Sequence, residues 1–593
     1  MGTPMERRDP AEGGKINRRT LLKGGLAAGG LLGAGVAIDR LVAGSSRSPS
    51  PKAASTGRAP RVPPTRRQPN ILVILVDQLR FPQWFSTSPG SLDLPPNLQS
   101  LSHDGVSFAR HYTASNDCSP SRAALLTGLY THQTGCLITG GSTLDPAFPT
   151  WGTMLREHGY STQWYGKWHL TRGDYRWSRA TGAPALEHYG FAGGTFPSPD
   201  GDPGQGWRVD PRIAAEFAAW LAQEGRREPW CTTVSFVNPH DIAWWYAWTR
   251  RVPAETTFAR LVRQLPPNFE TPQQLIARRK PLLQRSLQDT AASSFGKVPF
   301  SGPQFEHKWL AFLDLYMKLQ REVDHHVGSV LRTLASSPQV AANTVIIFTS
   351  DHGEYGASHG LRGKGAGVYE EAIRVPLIVK DPRGVLTSAP ARVRTQLTSS
   401  VDVAPLLLTV ATGSDAWRGD PRYSHIAGRL DLAGILANPS APGRPYVLHA
   451  TDEIVTEFAV EPYAADAPLH VTAMRTAGAK YAIYSDWARE STAPLPISQE
   501  SELYDYLSQD GRLELNNGAG QSAVEESMHA DLERAIATEL HAPLPPGLDA
   551  AQRRGFADYF SIARKDAKLA TNRRKVRTER DIGPVDKLEG PEA

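Results

Sequence analysis

The amino-acid sequence predicts an α/β fold in which a large, mostly parallel sheet lies between helices and a smaller α+β domain with an antiparallel sheet follows. Short apolar runs that end in a polar residue alternate with helical patterns over residues 70–413, as in a parallel sheet. From about residue 446 the strand candidates instead alternate apolar and polar residues. The length of 593 residues accommodates two such domains.

The N-terminal residues are expected to lie outside this fold. Arg18 and Arg19 precede an uncharged run rich in Gly and Ala at residues 24–38, which is too short to span a bilayer comfortably. This order resembles a twin-arginine export signal over residues 1–44; a basic disordered leader or a retained anchor is the alternative. Residues 45–68 predict a linker rich in Pro, Ser and Arg. We therefore expect the bacterial twin-arginine machinery to export the protein to the periplasm, the cell surface or the medium.

Four segments predict strands of one parallel sheet. Residues 70–77 and 344–350 are continuous apolar runs that lead to an aspartate, as expected of strands buried on both faces. Residues 231–237 predict a third strand, and residues 161–165 predict a weaker fourth. The clearest helix is predicted for residues 309–334, where apolar residues recur at helical spacing.

The pattern changes in the C-terminal part of the chain. Residues 401–410 predict a further helix, which closes an α/β domain expected at residues 69–413. The alternation at residues 481–484 is typical of the smaller domain, which we place at residues 414–550. Residues 551–593 carry clustered Arg and Lys and predict a charged, solvated tail or a frayed helix.

Composition narrows the class of protein. Hydrophobic residues make up 40% and charged residues 21% of the chain, which is typical of a folded globular protein. The formal net charge of +5 is small for this length, so it gives no indication of a nucleic-acid partner. The three cysteines, Cys118, Cys136 and Cys231, lack the spacing of a zinc site. In an exported protein Cys136 and Cys231 could form a disulfide, or they could remain buried thiols.

Two acidic residues at the ends of predicted strands each have a polar neighbour. Asp77 and Gln78 end the first strand, and Asp351 and His352 follow the strand at residues 344–350. Because open α/β sheets bind ligands at the carboxyl ends of their strands, these side chains could surround one divalent cation. The mostly oxygen set suits Ca²⁺, and the imidazole also admits Mn²⁺ or Zn²⁺. For either pair alone, an aspartate that caps a turn is an equal alternative.

The most specific motif is a cysteine with a proline and an arginine at fixed spacing, Cys118, Pro120 and Arg122, before an apolar helical pattern. A helix N-terminus lowers the pKa of a thiol and attracts anions. We therefore expect that an unmodified Cys118 would be a plausible but unspecific nucleophile. A buried cysteine before a helix would not by itself predict the proline and the arginine.

This motif resembles the signature of the sulfatase family, and the other polar clusters follow in the family's order from residue 68 to 413. The resemblance implies an alkaline phosphatase-like fold and oxidation of the cysteine to formylglycine by a formylglycine-generating enzyme. The ligands that it implies for one divalent cation, usually Ca²⁺, are Asp77, Gln78, Cys118, Asp351 and His352. The Asp-Gln and Asp-His pairs resemble a branch that includes choline sulfatases and phosphonate monoester hydrolases.

The resemblance also implies a mechanism and roles for individual side chains. One hydroxyl of hydrated formylglycine attacks sulfur, and the other then deprotonates and expels the sulfate. Arg122 would anchor the formylglycine, Lys167 would hold anionic oxygens, and His169 would be the base that triggers collapse. His240 would lie near the leaving-group oxygen, which Lys364 would neutralise or protonate. Such cations stabilise the negative oxygens of a sulfuryl group in transfer, as they do for phosphoryl transfer.

Two further features leave alternatives open. The aromatic residues Trp244, Trp245, Tyr246 and Trp248 could form a wall against an aryl or sugar leaving group or a cage for a quaternary ammonium, or they could pack in the core. His359 could support the site or be purely structural.

Together these observations predict an exported, formylglycine-dependent sulfatase that hydrolyses an organic sulfate monoester on a small molecule or a glycan. The nearest alternative is a phosphonate monoester or phosphodiester hydrolase of the same superfamily. A catalytically silent relative that binds anionic glycans would be expected to have a broken site position, and none is broken in the sequence. A thiol hydrolase with an unmodified Cys118 would need a paired Cys–His–Asn signature, which the sequence does not show.

Overall fold

The structure is a computed structural model, and it describes residues 68–81, 94–171, 186–245, 262–387, 389–390, 392–454, 462–496, 499–520 and 522–581. Side chains are described as far as residue 565. The chain divides into two units at residues 1–61 and 62–593, and every described residue belongs to the second. The predicted export signal at residues 1–44 and the linker, up to residue 67, lie outside the described residues.

An eight-stranded sheet forms the centre of the α/β domain. Its strands are β1 (Asn70–Asp77), β2 (Val106–Tyr112), β3 (Ser161–Gly166), β4 (Ala192–Gly193), β5 (Trp230–Pro239), β6 (Thr344–Ser350), β7 (Leu377–Lys380) and β8 (Val393–Ser399). Their spatial order is β4-β3-β5-β1-β6-β7-β2-β8. All neighbouring strands are parallel except β7, which is antiparallel to both β6 and β2. The predicted large, mostly parallel sheet is therefore confirmed.

Helices cover both faces of this sheet. They are α1 (Pro96–Asp104), α2 (Cys118–Thr127), α3 (Thr131–Thr134), α4 (Trp151–Arg156), α5 (Gln205–Glu224), α6 (Pro272–Ala277), α7 (Leu282–Phe295), α8 (Phe305–Ala335), α9 (Pro338–Ala342), α10 (Glu370–Ile373), α11 (Val403–Thr412) and α12 (Leu432–Ala437). Because successive side chains of β1 point to opposite faces, Leu72 belongs to the core beneath α8 and Val73 to the core beneath α11. This explains why β1 is apolar at every position rather than at every second one.

A second sheet follows, with four antiparallel strands in the order β12-β11-β10-β9. These strands are β9 (Tyr446–Thr451), β10 (His470–Thr476), β11 (Ala479–Ser485) and β12 (Glu500–Asp505). The helices after them are α13 (Gln509–Arg512), α14 (Ala523–Ala535), a π-helical turn at Ile536–Leu540 and α15 (Leu548–Asp581). The smaller domain with an antiparallel sheet is confirmed as well.

The residues just after the predicted boundary at residue 413 pack against the eight-stranded sheet. Trp417, Ile426 and Leu436 are buried in the core that contains Val73 of β1. The antiparallel sheet begins with β9, and the boundary after residue 413 stays a prediction. The sequence places the change of pattern correctly near residue 446, but it does not show which sheet the intervening helix α12 covers.

The beginning of the predicted tail at residues 551–593 is a packed helix instead. Tyr559 of α15 is buried against Leu137 and Ile138 of the α/β domain. Gln552 donates a hydrogen bond to the backbone carbonyl of His132 at 2.8 Å. The clustered charges conceal this apolar contact in the sequence. Within the described ranges, no helix combines the length and the apolar composition that crossing a lipid bilayer requires.

The three cysteines of the chain are buried, and none of them forms a disulfide. Of the two open alternatives for Cys136 and Cys231, the structure shows buried thiols. Burial raises the pKa of both side chains.

Candidate active site

The predicted site residues meet at the carboxyl edge of the eight-stranded sheet. Asp77 is the last residue of β1, and Asp351 follows β6, its parallel neighbour. Cys118 is the first residue of α2. Single ligand atoms of Asp77, Cys118, Asp351 and His352 all lie within 4.8 Å of one another, and all four side chains are buried. The parallel pairing of β1 and β6 thus brings together residues that are more than 270 positions apart in the chain.

Cys118 lies among charged and polar groups. Its Sγ is 3.1 Å from Nε2 of His352, 3.8 Å from Nζ of Lys167 and 4.0 Å from Oδ2 of Asp77. Burial, with a smaller contribution from the charge of Asp77, raises the pKa of the thiol to about 12, and Lys167 opposes the increase. The expectation of a lowered pKa is therefore wrong, because loss of water is the largest influence on the thiol.

Asp77 is ionised, and one of its two carboxylate oxygens is available to a ligand. Its Oδ2 lies 2.7 Å from Nζ of Lys167 and accepts a hydrogen bond from Nη2 of Arg122 at 3.0 Å. Burial alone would raise the pKa of Asp77, but the charges of Lys167 and Arg122 outweigh it and hold the pKa well below its usual value. Its Oδ1 has no hydrogen-bond partner among the described residues. A buried carboxylate oxygen in this state is a ready ligand for a cation.

Arg122 connects the ends of several strands. Its Nε donates to Oδ2 of Asp351 at 2.8 Å, and its Nη1 donates to the carbonyl of Lys167 at 2.8 Å and to Oγ of Ser235 at 3.1 Å. With the contact to Asp77, these bonds fix the positions of both aspartates. The predicted anchoring of formylglycine by Arg122 stays a prediction.

His352 presents one ring nitrogen to the site. Its Nδ1 is 3.0 Å from the carbonyl of Gly353. Because a carbonyl only accepts, Nδ1 carries the proton, and the lone pair of Nε2 points toward Cys118 and the aspartates. Burial lowers the pKa of His352. A neutral imidazole with its other nitrogen fixed by a carbonyl is the usual form of a metal-binding histidine.

The side chain of Gln78 is oriented by two charged groups. Its Oε1 accepts a hydrogen bond from Nζ of Lys364 at 2.8 Å, and its Nε2 donates to Glu354. Glu354 also accepts from the backbone nitrogens of Gly356 at 3.0 Å and Gly363 at 2.7 Å. Glu354 thus fixes both the amide of Gln78 and the loop that carries Lys364. Sequence reasoning missed this residue, although an acid three positions after Asp351 was a usable signal.

The two remaining predicted histidines also lie at this edge. The carbonyl of His169 accepts a hydrogen bond from Oγ of Ser119, next to the cysteine, at 2.6 Å. Burial, reinforced by Lys167, holds the pKa of His169 well below its usual value. Burial, reinforced by Lys167 and Lys364, also holds the pKa of His240 well below its usual value. Both ring nitrogens of His240 lack a hydrogen-bond partner among the described residues, so they are available to a substrate.

A cavity that is partly open to solvent borders this site. His240, Gln78 and Lys364 are among the residues that line it. Trp244 also lines the cavity, whereas Trp245 is buried and packs on Phe312 with a ring-centre distance of 5.2 Å. The predicted aromatic cluster is thus divided between the cavity and the core. Its other two members, at positions 246 and 248, lie outside the described residues.

The second sheet contributes to the site as well. Asp117, which precedes Cys118 and lines the cavity, accepts a hydrogen bond from Oγ1 of Thr451 at 2.5 Å. Thr451 is the last residue of β9. Sequence reasoning missed both residues, and no local pattern could have paired positions 334 apart.

His359 lies in a polar cluster beside the cavity rather than among the ligands. Its Nδ1 is 2.6 Å from Oε2 of Glu270, and its ring stacks on Tyr369 at 3.6 Å. Of the two open alternatives for His359, these contacts favour the structural role.

Comparison with known proteins gives a consistent result. The family model described as Sulfatase matches residues 69–414 of this chain. The uncharacterized sulfatase YidJ of Escherichia coli (strain K12) is 28% identical over 366 residues, which cover 58% of this chain and 68% of the relative. Arylsulfatase K of Mus musculus is 25% identical over 449 residues, which cover 72% of this chain and 75% of the relative.

Solved structures share the fold. A 2-O GAG sulfatase superposes with a TM-score of 0.60 at 23% identity and covers 80% of this chain and 93% of its own. A phosphonate monoester hydrolase from Silicibacter pomeroyi gives a TM-score of 0.60 at 22% identity, covering 80% and 96%. The family match extends over more than half of the sequence and includes every predicted site residue. The chain therefore belongs to the sulfatase family and is a sulfuric ester hydrolase.

Proposed function

We propose that the protein hydrolyses an organic sulfate monoester to an alcohol and sulfate, with a formylglycine at position 118 and one divalent cation, best satisfied by Ca²⁺. The observation that carries this proposal is the buried group of Asp77, Cys118, Asp351 and His352 beside a cavity that Gln78, His240 and Lys364 line.

The residues at the site fit a divalent cation. One oxygen of Asp77 has no hydrogen-bond partner in the part of the chain that the structure describes, and the nearby Nε2 of His352 has its lone pair available. Asp351 and the amide oxygen of Gln78 complete a mostly oxygen set, which suits Ca²⁺, while the one nitrogen admits Mn²⁺ or Zn²⁺. When bound, such a cation would neutralise the carboxylates and polarise the sulfate oxygens.

The remaining groups have defined tasks in the proposed reaction. A hydrated formylglycine supplies two hydroxyls, one that attacks sulfur and one whose deprotonation expels the sulfate. Lys167, whose Nζ is 3.8 Å from Sγ of Cys118, would hold oxygens of residue 118 or of the sulfuryl group. His169, kept neutral by its low pKa, would accept the proton of the second hydroxyl. The ammonium of Lys364 would give a proton to the leaving oxygen as its bond to sulfur breaks, and His240, which lines the same cavity, would lie near that oxygen.

A phosphonate monoester or phosphodiester hydrolase activity is the second candidate. It is favoured by the Asp-Gln and Asp-His pairs, and the phosphonate monoester hydrolase from Silicibacter pomeroyi has the same fold. A relative that only binds glycans is not favoured, because all of the predicted ligands are present and the acidic, thiol and imidazole ligands converge.

Two measurements test the proposal. Peptide mass spectrometry around Cys118 should show a mass lower by about 18 Da, since the thiol is replaced by an aldehyde. The kcat/KM values for 4-nitrophenyl sulfate and for a 4-nitrophenyl phosphonate monoester, which share one leaving group, should favour the sulfate. A thiol throughout an active preparation would overturn the formylglycine mechanism. A clear preference for the phosphonate would replace the first candidate by the second.

We also propose export by the twin-arginine route, supported by Arg18 and Arg19 before the apolar run at residues 24–38. Replacing both arginines by lysine in the full chain should retain the protein in the cytoplasm, as should a host without the twin-arginine machinery. Unchanged export in either case would contradict the proposal.

A further inference from the structure

We infer that the cavity binds the leaving group on an apolar wall and that the preferred substrates are sulfate esters of aryl or alicyclic alcohols. This inference rests on the proposed sulfatase function and names the substrate class for the same site. The apolar wall consists of Ile242, Ala243, Trp244, Leu287, Ala291 and Phe295, all of which line the cavity.

Two elements build this wall. Leu287, Ala291 and Phe295 are four positions apart on α7, so they form one stripe along the face of this helix that borders the cavity. The other three side chains belong to the 3₁₀-helix His240–Trp244, which begins at the predicted catalytic histidine. The wall therefore continues directly from the groups that would contact the ester oxygen.

The aromatic part of the wall is held in place. The indole Nε1 of Trp244 donates a hydrogen bond to the carbonyl of Gly201 at 2.6 Å. The ring of Phe295 meets that of Trp244 edge to face, at a ring-centre distance of 5.9 Å and an angle of 88°. Aromatic rings fixed in this way present a binding surface with little loss of conformational entropy when a ligand arrives.

The position of the wall relates it to the ester bond. Gln78, His240 and Lys364 line the same cavity, so a sulfate group held there would direct its substituent toward the wall.

The chemistry of the wall distinguishes apolar alcohols from sugars. Its six side chains carry a single polar atom, the indole nitrogen of Trp244, which is already bonded to Gly201. The hydroxyls of a sugar ring placed on this wall would lose water without gaining a partner, which costs free energy. Polar residues also line the cavity, so a polar substituent on the leaving group can be accommodated; besides the three groups named above they are Asp117, Thr139, Arg362, Glu453 and Tyr463.

The first test compares leaving groups of equal ring size. With the formylglycine-containing enzyme, kcat/KM for cyclohexyl sulfate should exceed that for a monosaccharide 6-sulfate at least about tenfold, because the cyclohexyl ring buries apolar surface and no hydroxyls. A preference for the monosaccharide would overturn the inference. If neither these esters nor 4-nitrophenyl sulfate released sulfate, the proposed function itself would fail, which is a distinguishable result.

The second test uses variants of the wall. Phe295→Ala should lower the ratio of kcat/KM for phenyl sulfate to kcat/KM for methyl sulfate about tenfold, mainly through KM for phenyl sulfate, since methyl sulfate does not reach the wall. Because the same ratio is measured for the variant and for the wild type, the intrinsic difference in reactivity between phenyl sulfate and methyl sulfate cancels. Phe295→Leu should lower this ratio by a smaller factor than Phe295→Ala does. Asp289→Ala, at an exposed position on the same helix, should leave the ratio unchanged. An unchanged ratio in both Phe295→Ala and Trp244→Leu would contradict the inference.

Discussion

The site around Cys118 and a second buried network near the junction of the two sheets are both highly charged, yet they use their charges differently. The second group, which we call the junction network, consists of Lys280, Glu370, Arg475, Lys480, Glu502 and Glu514. Each of its three carboxylates accepts hydrogen bonds on both oxygens. All of its carboxylate oxygens are therefore used in hydrogen bonds, and the network joins the second sheet to the α/β domain.

The site leaves part of its bonding capacity unused. Oδ1 of Asp77 and both ring nitrogens of His240 have no hydrogen-bond partner among the described residues, although all are buried. A buried polar atom without a partner costs free energy in the folded protein. The comparison teaches that buried charge alone does not identify this site, whereas buried charge with unused capacity is prepared for a cation and a substrate.

The largest expected effect is that of Cys118→Ala. Turnover of 4-nitrophenyl sulfate should fall by at least about a thousandfold, because the nucleophile is lost while the charges around it remain. The fold should be retained, since the replacement leaves every ion pair of Asp77 in place. Sulfate release and far-ultraviolet circular dichroism measured on one preparation check both points. Turnover within tenfold of wild type would show that residue 118 is not the nucleophile.

A paired substitution tests the comparison directly. Asp77→Asn should lower kcat/KM at least about a hundredfold, because Lys167 and Arg122 lose their shared anion and a cation ligand is weakened. Glu514→Gln should instead leave kcat/KM within about threefold and lower the free energy of unfolding by about 3 kcal/mol, since it leaves Lys480 buried beside a neutral group. Steady-state kinetics and urea unfolding of both variants are required. The distinction between the two regions fails if Glu514→Gln is the more damaging to activity.

The orientation of Gln78 by Glu354 predicts a smaller effect. In Glu354→Gln a single amide oxygen replaces the two carboxylate oxygens, which together accept hydrogen bonds from three N–H donors in the wild type. Either the Gln78 amide or the loop that carries Lys364 therefore loses a hydrogen bond. We expect kcat/KM to fall about tenfold and the affinity for Ca²⁺ to fall by a similar factor. Calcium titration followed by thermal unfolding separates this positioning role from a general loss of stability. Glu490→Gln, at an exposed ion pair with Arg564, is the matched control and should change neither quantity.

The sequence predicts the fold best where the signal is local. The apolar runs of β1 and β6 give the buried parallel strands, and the periodicity at residues 309–334 gives most of α8. The direction of β7 could not be predicted, because antiparallel pairing depends on its neighbours in space. The packing of residues 414–437 could not be predicted for the same reason, since only the folded structure shows which sheet they cover.

The residues of the candidate site likewise fall into those that a local signal in the sequence predicts and those that only the folded structure shows. Motif positions such as Asp77 and Lys167 could be named because each follows a predicted strand. Glu354 had a local signal, its position three residues after Asp351, that was overlooked. Thr451 could not be named, since its role exists only through a contact with a residue 334 positions away in the chain. The pKa of Cys118 was predicted in the wrong direction because helix position is visible in the sequence, whereas the depth of burial is a property of the packed structure.

The smallest expected effect concerns His449, whose Nδ1 lies 2.8 Å from the carbonyl of Thr113 where the second sheet meets the first domain. Burial lowers the pKa of His449 to about 4, and nearby Lys480 also lowers it, against the carbonyl of Thr113 and Asp452, which raise it. In the unfolded chain a histidine protonates near its ordinary pKa of about 6.5. Between these two pKa values the unfolded state binds the extra proton, so His449 should lower the free energy of unfolding by about 1 kcal/mol from pH 6.5 to 5.5.

His449→Gln keeps a donor for the Thr113 carbonyl but does not titrate, so its urea midpoint should fall less than that of wild type over this pH range, while kcat/KM at pH 7 stays unchanged. An identical pH dependence in the two proteins would show that His449 does not stay neutral in the fold. A loss of activity at pH 7 would show instead that the contact between the sheets and the site are coupled. The expected smaller fall and an identical pH dependence both concern stability alone. This is expected of a residue in the region where polar groups join the two domains rather than bind a ligand.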